Sequence, residues 1–205
     1  MAGINPKLEF YRFKLNHKDG YKTFRDYAID VWNVGKASRE EKYFTRCFEE
    51  FMQNLNTGFE KNDKLQKTIT LIPRKTVNKH LDDKPTMIAA KSIFHGVING
   101  GSYGKDRILS DIENKDDSSA IGKKKPILSY YYIFVYLPPN HNEGFFMVHS
   151  NNSDDSITAA LRQYIAKLFK SGSYRMPIME PFCPKKFQDE FHNGATIKNI
   201  KFSNF

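Results

Sequence analysis

With 205 residues, 40% of them hydrophobic and 14% aromatic, the chain is long enough for a continuous core and too apolar to be disordered. No apolar run approaches the roughly 20 residues that span a membrane, and the N-terminus (Met1-Ala2-Gly3-Ile4-Asn5-Pro6) lacks the apolar centre of a secretory signal, so a soluble, cytoplasmic protein is expected. The net charge of +9 points to polyanionic partners such as nucleic acid, while two cysteines, Cys47 and Cys183, imply no disulfide framework.

In chain order, Lys7 to Asn16 alternates, with Tyr11, Phe13 and Leu15 on one face and Arg12 and Lys14 on the other. That pattern predicts a half-buried strand closed by the turn at 17–20. Phe24, Tyr27, Ala28 and Val31 fall at helical spacing. Ser38-Arg39-Glu40-Glu41 reads as a capping box opening a helix whose apolar face is Phe44, Cys47, Phe48, Phe51 and Leu55. Lys64 to Pro73 predicts a strand with Leu65, Ile69 and Leu71 on one side. Residues 74–84 read as a loop or short helix. Thr86 to Asn99 reads as one strand ending at Asn99-Gly100-Gly101. Residues 100–126 have no clear periodicity, and an internal loop of that length is usually functional or disordered.

From Ile127 the pattern sharpens. Leu128 to Leu137 is nearly continuous aromatic and β-branched sequence, as in a central strand. A turn at 138–144 and a strand from Phe145 to Ser150 complete a hairpin. A helix is expected from Ser153, its cap, to Lys170, with Asp154 and Asp155 in the first turn and Ile157, Ala160, Leu161, Tyr164, Ile165 and Leu168 on one face. A short strand at Tyr174 to Met179, a helix opened by Pro184 and a closing strand from Ala195 to Phe202 follow. The fold class is therefore α+β: a mixed, mainly antiparallel sheet with helices packed on one face and a C-terminal β-β-α-β-α-β module. A single domain is expected over 1–205, with a possible subdivision into 1–99, a long loop at 100–126, and 127–205.

The C-terminal hairpin and helix, the segment Met179-Glu180-Pro181-Phe182-Cys183-Pro184-Lys185 and the ending Asn193-Gly194-Ala195-Thr196-Ile197-Lys198-Asn199-Ile200 form a recognisable pattern. It resembles that of uncharacterised bacterial proteins associated with phage defence. The resemblance covers about the last third of the chain and rests on turn, cap and closing-strand motifs. It implies a bacterial defence role and carries over no catalytic residue.

Four constellations bear on chemistry. Asn99-Gly100-Gly101-Ser102-Tyr103-Gly104-Lys105 has a Gly-Lys pair, but the glycine spacing of a nucleotide phosphate loop is absent and Asp106 follows the lysine where Ser or Thr is needed. What survives is phosphate contact by Lys105 and Arg107 with Tyr103 stacking on a base; otherwise the segment is a turn. Asp111-Ile112-Glu113-Asn114-Lys115 mimics the acid, acid-x-Lys set of divalent-metal nucleases, but its flanks are polar and turn-like, as in a solvated charge run. The histidines, His17, His80, His95, His141, His149 and His192, show no metal-ligand spacing. His149 and Ser150 are adjacent and point to opposite faces of a strand, so they do not share a proton. Last come the basic residues: Lys123-Lys124-Lys125 as a phosphate-contacting cluster, and Lys185, Lys186 and Lys198 as a C-terminal patch.

No cofactor or metal is implied. The expected function is a non-enzymatic nucleic-acid-binding component that contacts DNA or RNA largely through phosphates. A protein-interaction or inhibitory subunit is the alternative, and a metal-dependent nuclease the second alternative.

Overall fold

The structure is a computed structural model and describes residues 7–71, 84–150, 156–183, 185 and 189. In chain order the elements are β1 (Lys7–His17), α1 (Phe24–Asp30), α2 (Glu40–Thr57), β2 (Glu60–Asn62), β3 (Lys67–Thr70), β4 (Thr86–Ile88), β5 (Ile93–Ser102), β6 (Arg107–Ser110), β7 (Ser118–Ile121), β8 (Ile127–Tyr136), β9 (Glu143–Ser150), α3 (Thr158–Leu168) and β10 (Tyr174–Pro181). Eight strands form one antiparallel sheet in the order β10-β1-β9-β8-β5-β3-β2, with β4 pairing the start of β5. β6 and β7 pair only with each other, as a separate two-stranded ribbon. This is the expected α+β class, and no described helix is long and apolar enough to cross a membrane.

The three helices share one face of the sheet because the strands present their largest apolar residues there. Phe13, Phe94, Ile98, Ile133, Val135, Phe146 and Val148 are all buried. Phe24 of α1 packs edge-on to Phe13, with ring centroids 5.7 Å apart. Phe51 of α2 meets Phe94 at 4.8 Å and Tyr164 of α3 at 5.1 Å. The Tyr164 hydroxyl donates to the Phe51 carbonyl, and the Tyr27 hydroxyl donates to the Leu168 carbonyl at 2.7 Å. Each buried phenol thus has a partner, which avoids the cost of a stranded polar group. Burial also pushes both tyrosines above their ordinary pKa.

The other face of the sheet carries Phe10 and Arg12 of β1, Tyr132, Phe134 and Tyr136 of β8, and Phe145, Met147 and His149 of β9, in the same cross-strand register. Tyr136 stacks on Phe145 at 6.4 Å, and Phe182 packs against Phe145 at 4.9 Å. The Tyr132 hydroxyl lies 2.8 Å from His95 Nδ1. One face of β8 is therefore aromatic and the other, Tyr131, Ile133 and Val135, is buried under the helices, which is why its sequence shows no alternation.

Several expectations are corrected in detail. The capping box belongs to α1, where Thr23 and Asp26 bond reciprocally, and not to Ser38; α2 begins at Glu40 with no side-chain cap. Thr86 to Asn99 is two strands, because a 3-10 turn and the left-handed Ser92 (φ 54°) fold β4 back onto β5. Gly100 and Gly101 do not end β5. A Cβ at Gly100 would lie 2.7 Å from Ile157 Cγ2, and one at Gly101 would lie 1.7 Å from the Ile127 carbonyl oxygen. Both glycines mark close approaches inside a continuing strand. Leu65 sits exposed in the β2–β3 turn and not in the strand.

α3 starts at Thr158, where the Ser156 hydroxyl accepts from the Thr158 backbone N–H at 3.2 Å. The expected cap at Ser153, with Asp154 and Asp155, lies outside the described residues. So do residues 74–83 and the closing strand 195–202. Lys185 and Asp189 are helical, as expected beyond Pro184.

Candidate nucleic-acid interface

Ser102 at the end of β5 pairs with Ile127 at the start of β8, so the segment between them leaves the sheet and returns at one place. Residues 100–126 are thus no open loop. The last residues of β5 stay in the sheet, and β6 and β7 form a ribbon with Arg107 opposite Ile121 and Ser110 opposite Ser118.

Five contacts fix the root of this ribbon. The Tyr103 backbone N–H donates to the Gln66 carbonyl at 3.0 Å, and the Gly104 N–H donates to the Lys123 carbonyl at 2.8 Å. The Tyr103 hydroxyl donates to Asp63 Oδ1 at 2.6 Å. The Lys123 N–H donates to Asp106 Oδ1 at 3.2 Å, while its ammonium lies 3.6 Å from Asp106 Oδ2. Gly104 has φ +89° and lies against the Gln66 side chain, so both the left-handed conformation and the close approach require glycine.

These contacts bring together six of the residues singled out from the sequence. Lys105, Lys123, Lys124 and Lys125 are exposed, and Arg107 and Tyr103 are half-buried. Tyr103 takes a different role from the expected stacking: partial burial and the bond to Asp63 push its hydroxyl up to about 12, and the residue anchors the root. Within residues 105–107 and 123–125 the one acid is Asp106, so the root is a concentration of positive charge. The 62–67 turn packed against it adds Lys64 and Lys67. Those two lysines escape a sequence reading because they belong to the first half of the chain and meet the root only through β3–β5 pairing. Tyr130, 42% exposed and on the first turn of pleat in β8, is a second missed residue. Its signal was hidden in the unbroken aromatic run.

The other candidates lie elsewhere. Lys185 is exposed and follows Phe182, which packs on Phe145 opposite Tyr136, at the far end of β8 from the root. Lys167 pairs with Glu60 at 3.2 Å. Lys186 and Lys198 lie outside the described residues. Lys185 therefore does not join the root.

Asp111, Glu113 and Lys115 sit at the exposed end of the ribbon. Asp111 Oδ1 accepts from the Glu113 N–H at 2.7 Å and the Asn114 N–H at 3.3 Å, so this carboxylate closes its own turn. Among the described residues no group of three or more His, Cys, Asp or Glu is arranged to hold a metal ion. Comparison of the chain with protein-family models, with curated proteins and with solved structures finds no match.

Proposed function

We propose that the chain is a non-enzymatic nucleic-acid-binding component and that the ribbon root grips phosphates. The observation that carries the reading is the meeting of Lys105, Arg107 and Lys123-Lys124-Lys125, which come from the two ends of the ribbon, beside two acids, Asp106 and Asp63. Ammonium and guanidinium groups at such a spot release counterions from a phosphate backbone without reading sequence. The exposed ring of Tyr130 lies where β8 leaves the root, as a stacking surface for an unpaired base. That arrangement favours single strands over duplexes. The resemblance of the C-terminal third to phage-defence proteins supplies the setting: a cytoplasmic component of a bacterial anti-phage system.

The test is titration of labelled single- and double-stranded DNA and RNA by fluorescence anisotropy, from low to high salt. Affinity is expected to be highest for single strands and to fall linearly with salt on logarithmic axes. Absence of binding to every probe at low salt ends the reading.

A further inference from the structure

We infer that the β6–β7 ribbon is a self-association element: two copies of the chain pair β6 against β6, antiparallel, about a two-fold axis at Leu109. The inference shares Arg107 and Lys105 with the proposed phosphate site, and it is tested without nucleic acid so that the two readings fail separately.

The edges of the molecule differ. The outer strand β10 contains Pro177 and Pro181, and β2 at the opposite edge has three residues. Both features blunt an edge against further pairing. β6 has no proline and, among the described residues, pairs on one side only, with β7. In an antiparallel ladder alternate residues bond the neighbouring strand, so the remaining N–H and C=O groups of β6 point away from β7. Its apolar residues are exposed on both faces: Ile108 at 77% and Leu109 at 62%, with Ile112 at 101% just beyond. A two-stranded ribbon left this way is marginal in water, and added strands stabilise it.

The charge pattern selects the partner. Arg107 and Leu109 share one face of β6, and Asp111, whose backbone N–H still bonds the Asp117 carbonyl across the ribbon, follows at the next position of that alternation; the chain is basic just before the leucine (Lys105, Arg107) and acidic just after it (Asp111, Glu113). Asp116 and Asp117 add to the acidic end. A two-fold axis at Leu109 sets Leu109 on its counterpart and Arg107 opposite Asp111 of the other copy, twice per dimer. The basic root of each copy then faces the acidic tip of the other. A second copy of this chain thus satisfies the edge, Leu109 and the Arg107–Asp111 charges by one operation. The contact is small, so the dimer is weak and concentration-dependent.

Sedimentation equilibrium of the full chain at low salt, from micromolar to near-millimolar concentration, tests this. The expected result is an average mass rising from 23.8 kDa toward twice that value, with the midpoint moving to higher concentration as salt is added. Arg107→Glu sets like charges opposite each other and moves the midpoint up by about ten-fold or more. Adding Asp111→Lys to Arg107→Glu restores it. Leu109→Arg, at an exposed position, abolishes association. Because Asp111 also closes its turn, a second measurement is independent of it: in a Cys183→Ser background, Leu109→Cys cross-links under mild oxidation and Ser119→Cys on β7 does not. A chain monomeric throughout, association unchanged by Leu109→Arg, or equal cross-linking at 119 overturns the proposal.

Discussion

Phe94 and Ile108 lie on consecutive strands of the chain, yet Phe94 has no exposed surface and Ile108 shows 77% of its own. Around Phe94, side chains from α2 close in on one face of β5, and β4, β3 and β8 pair with its edges. Among the described residues, Ile108 has one neighbouring strand and its side chain stays exposed. The sheet body is held by burial, which contributes roughly 25 cal/mol for each Å² of apolar surface removed from water. The ribbon is held by its own ladder, by Asp111 closing the tip and by the contacts of Tyr103, Gly104 and Lys123 at the root. The difference shows what each region is free to do. Residues of the body are committed to one another, whereas those of the ribbon leave charge and apolar surface exposed.

Substitutions sharpen this contrast. Phe94→Ala is expected to destabilise the protein most, by about 3–5 kcal/mol, measured by urea unfolding. Gly101→Ala comes next. Its Cβ would meet the Ile127 carbonyl at the point where body and ribbon join, and the cost is about 1–3 kcal/mol or more because a backbone, not a side chain, must move. Ile108→Ser is expected to change stability by no more than about 0.5 kcal/mol. Amide hydrogen exchange should accordingly be fast in β6 and β7 and slow in β5 and β8. A ribbon as protected as β5 would erase the distinction.

The smallest effect is a pH dependence in the body. Burial alone would raise the Glu9 carboxyl, but hydrogen bonds from Thr158 at 2.6 Å and Ser156 at 2.8 Å, with Lys7 nearby, hold it below its ordinary value of 4.5. A lowered folded pKa means that this stabilisation is complete above the ordinary value and lost as pH falls through the lowered one. Glu9→Gln should therefore flatten the acid side of a plot of unfolding midpoint against pH. An acid limb unchanged in the variant would remove Glu9 as its cause.

What could be read from the residues followed the same division. α2, with a strong period and one packed face, and β8, an unbroken aromatic and β-branched run, are where the sequence places them, since core burial and local pattern agree there. The ribbon was missed because Ser118-Ser119-Ala120-Ile121 is polar and short, and its strand character comes from pairing with Arg107-Ile108-Leu109-Ser110 and not from an apolar face. The candidate phosphate-binding residues are legible singly, as a Gly-Ser-Tyr-Gly-Lys turn and a lysine run. Their meeting depends on the return of the chain from Ser102 to Ile127, and no local spacing encodes that. Asp106 was likewise visible only as the residue that fails a phosphate-loop test, whereas in the fold it orders the root by binding Lys123.

The most direct measurement compares the salt dependence of single-stranded oligonucleotide binding for the native chain and for Lys123→Gln/Lys124→Gln/Lys125→Gln. If the ribbon root holds phosphates, the logarithmic slope becomes shallower by about 1–2, since each phosphate contact on a single strand contributes roughly 0.7 and Lys123 is partly engaged with Asp106. A slope and affinity equal to those of the native chain would contradict the account.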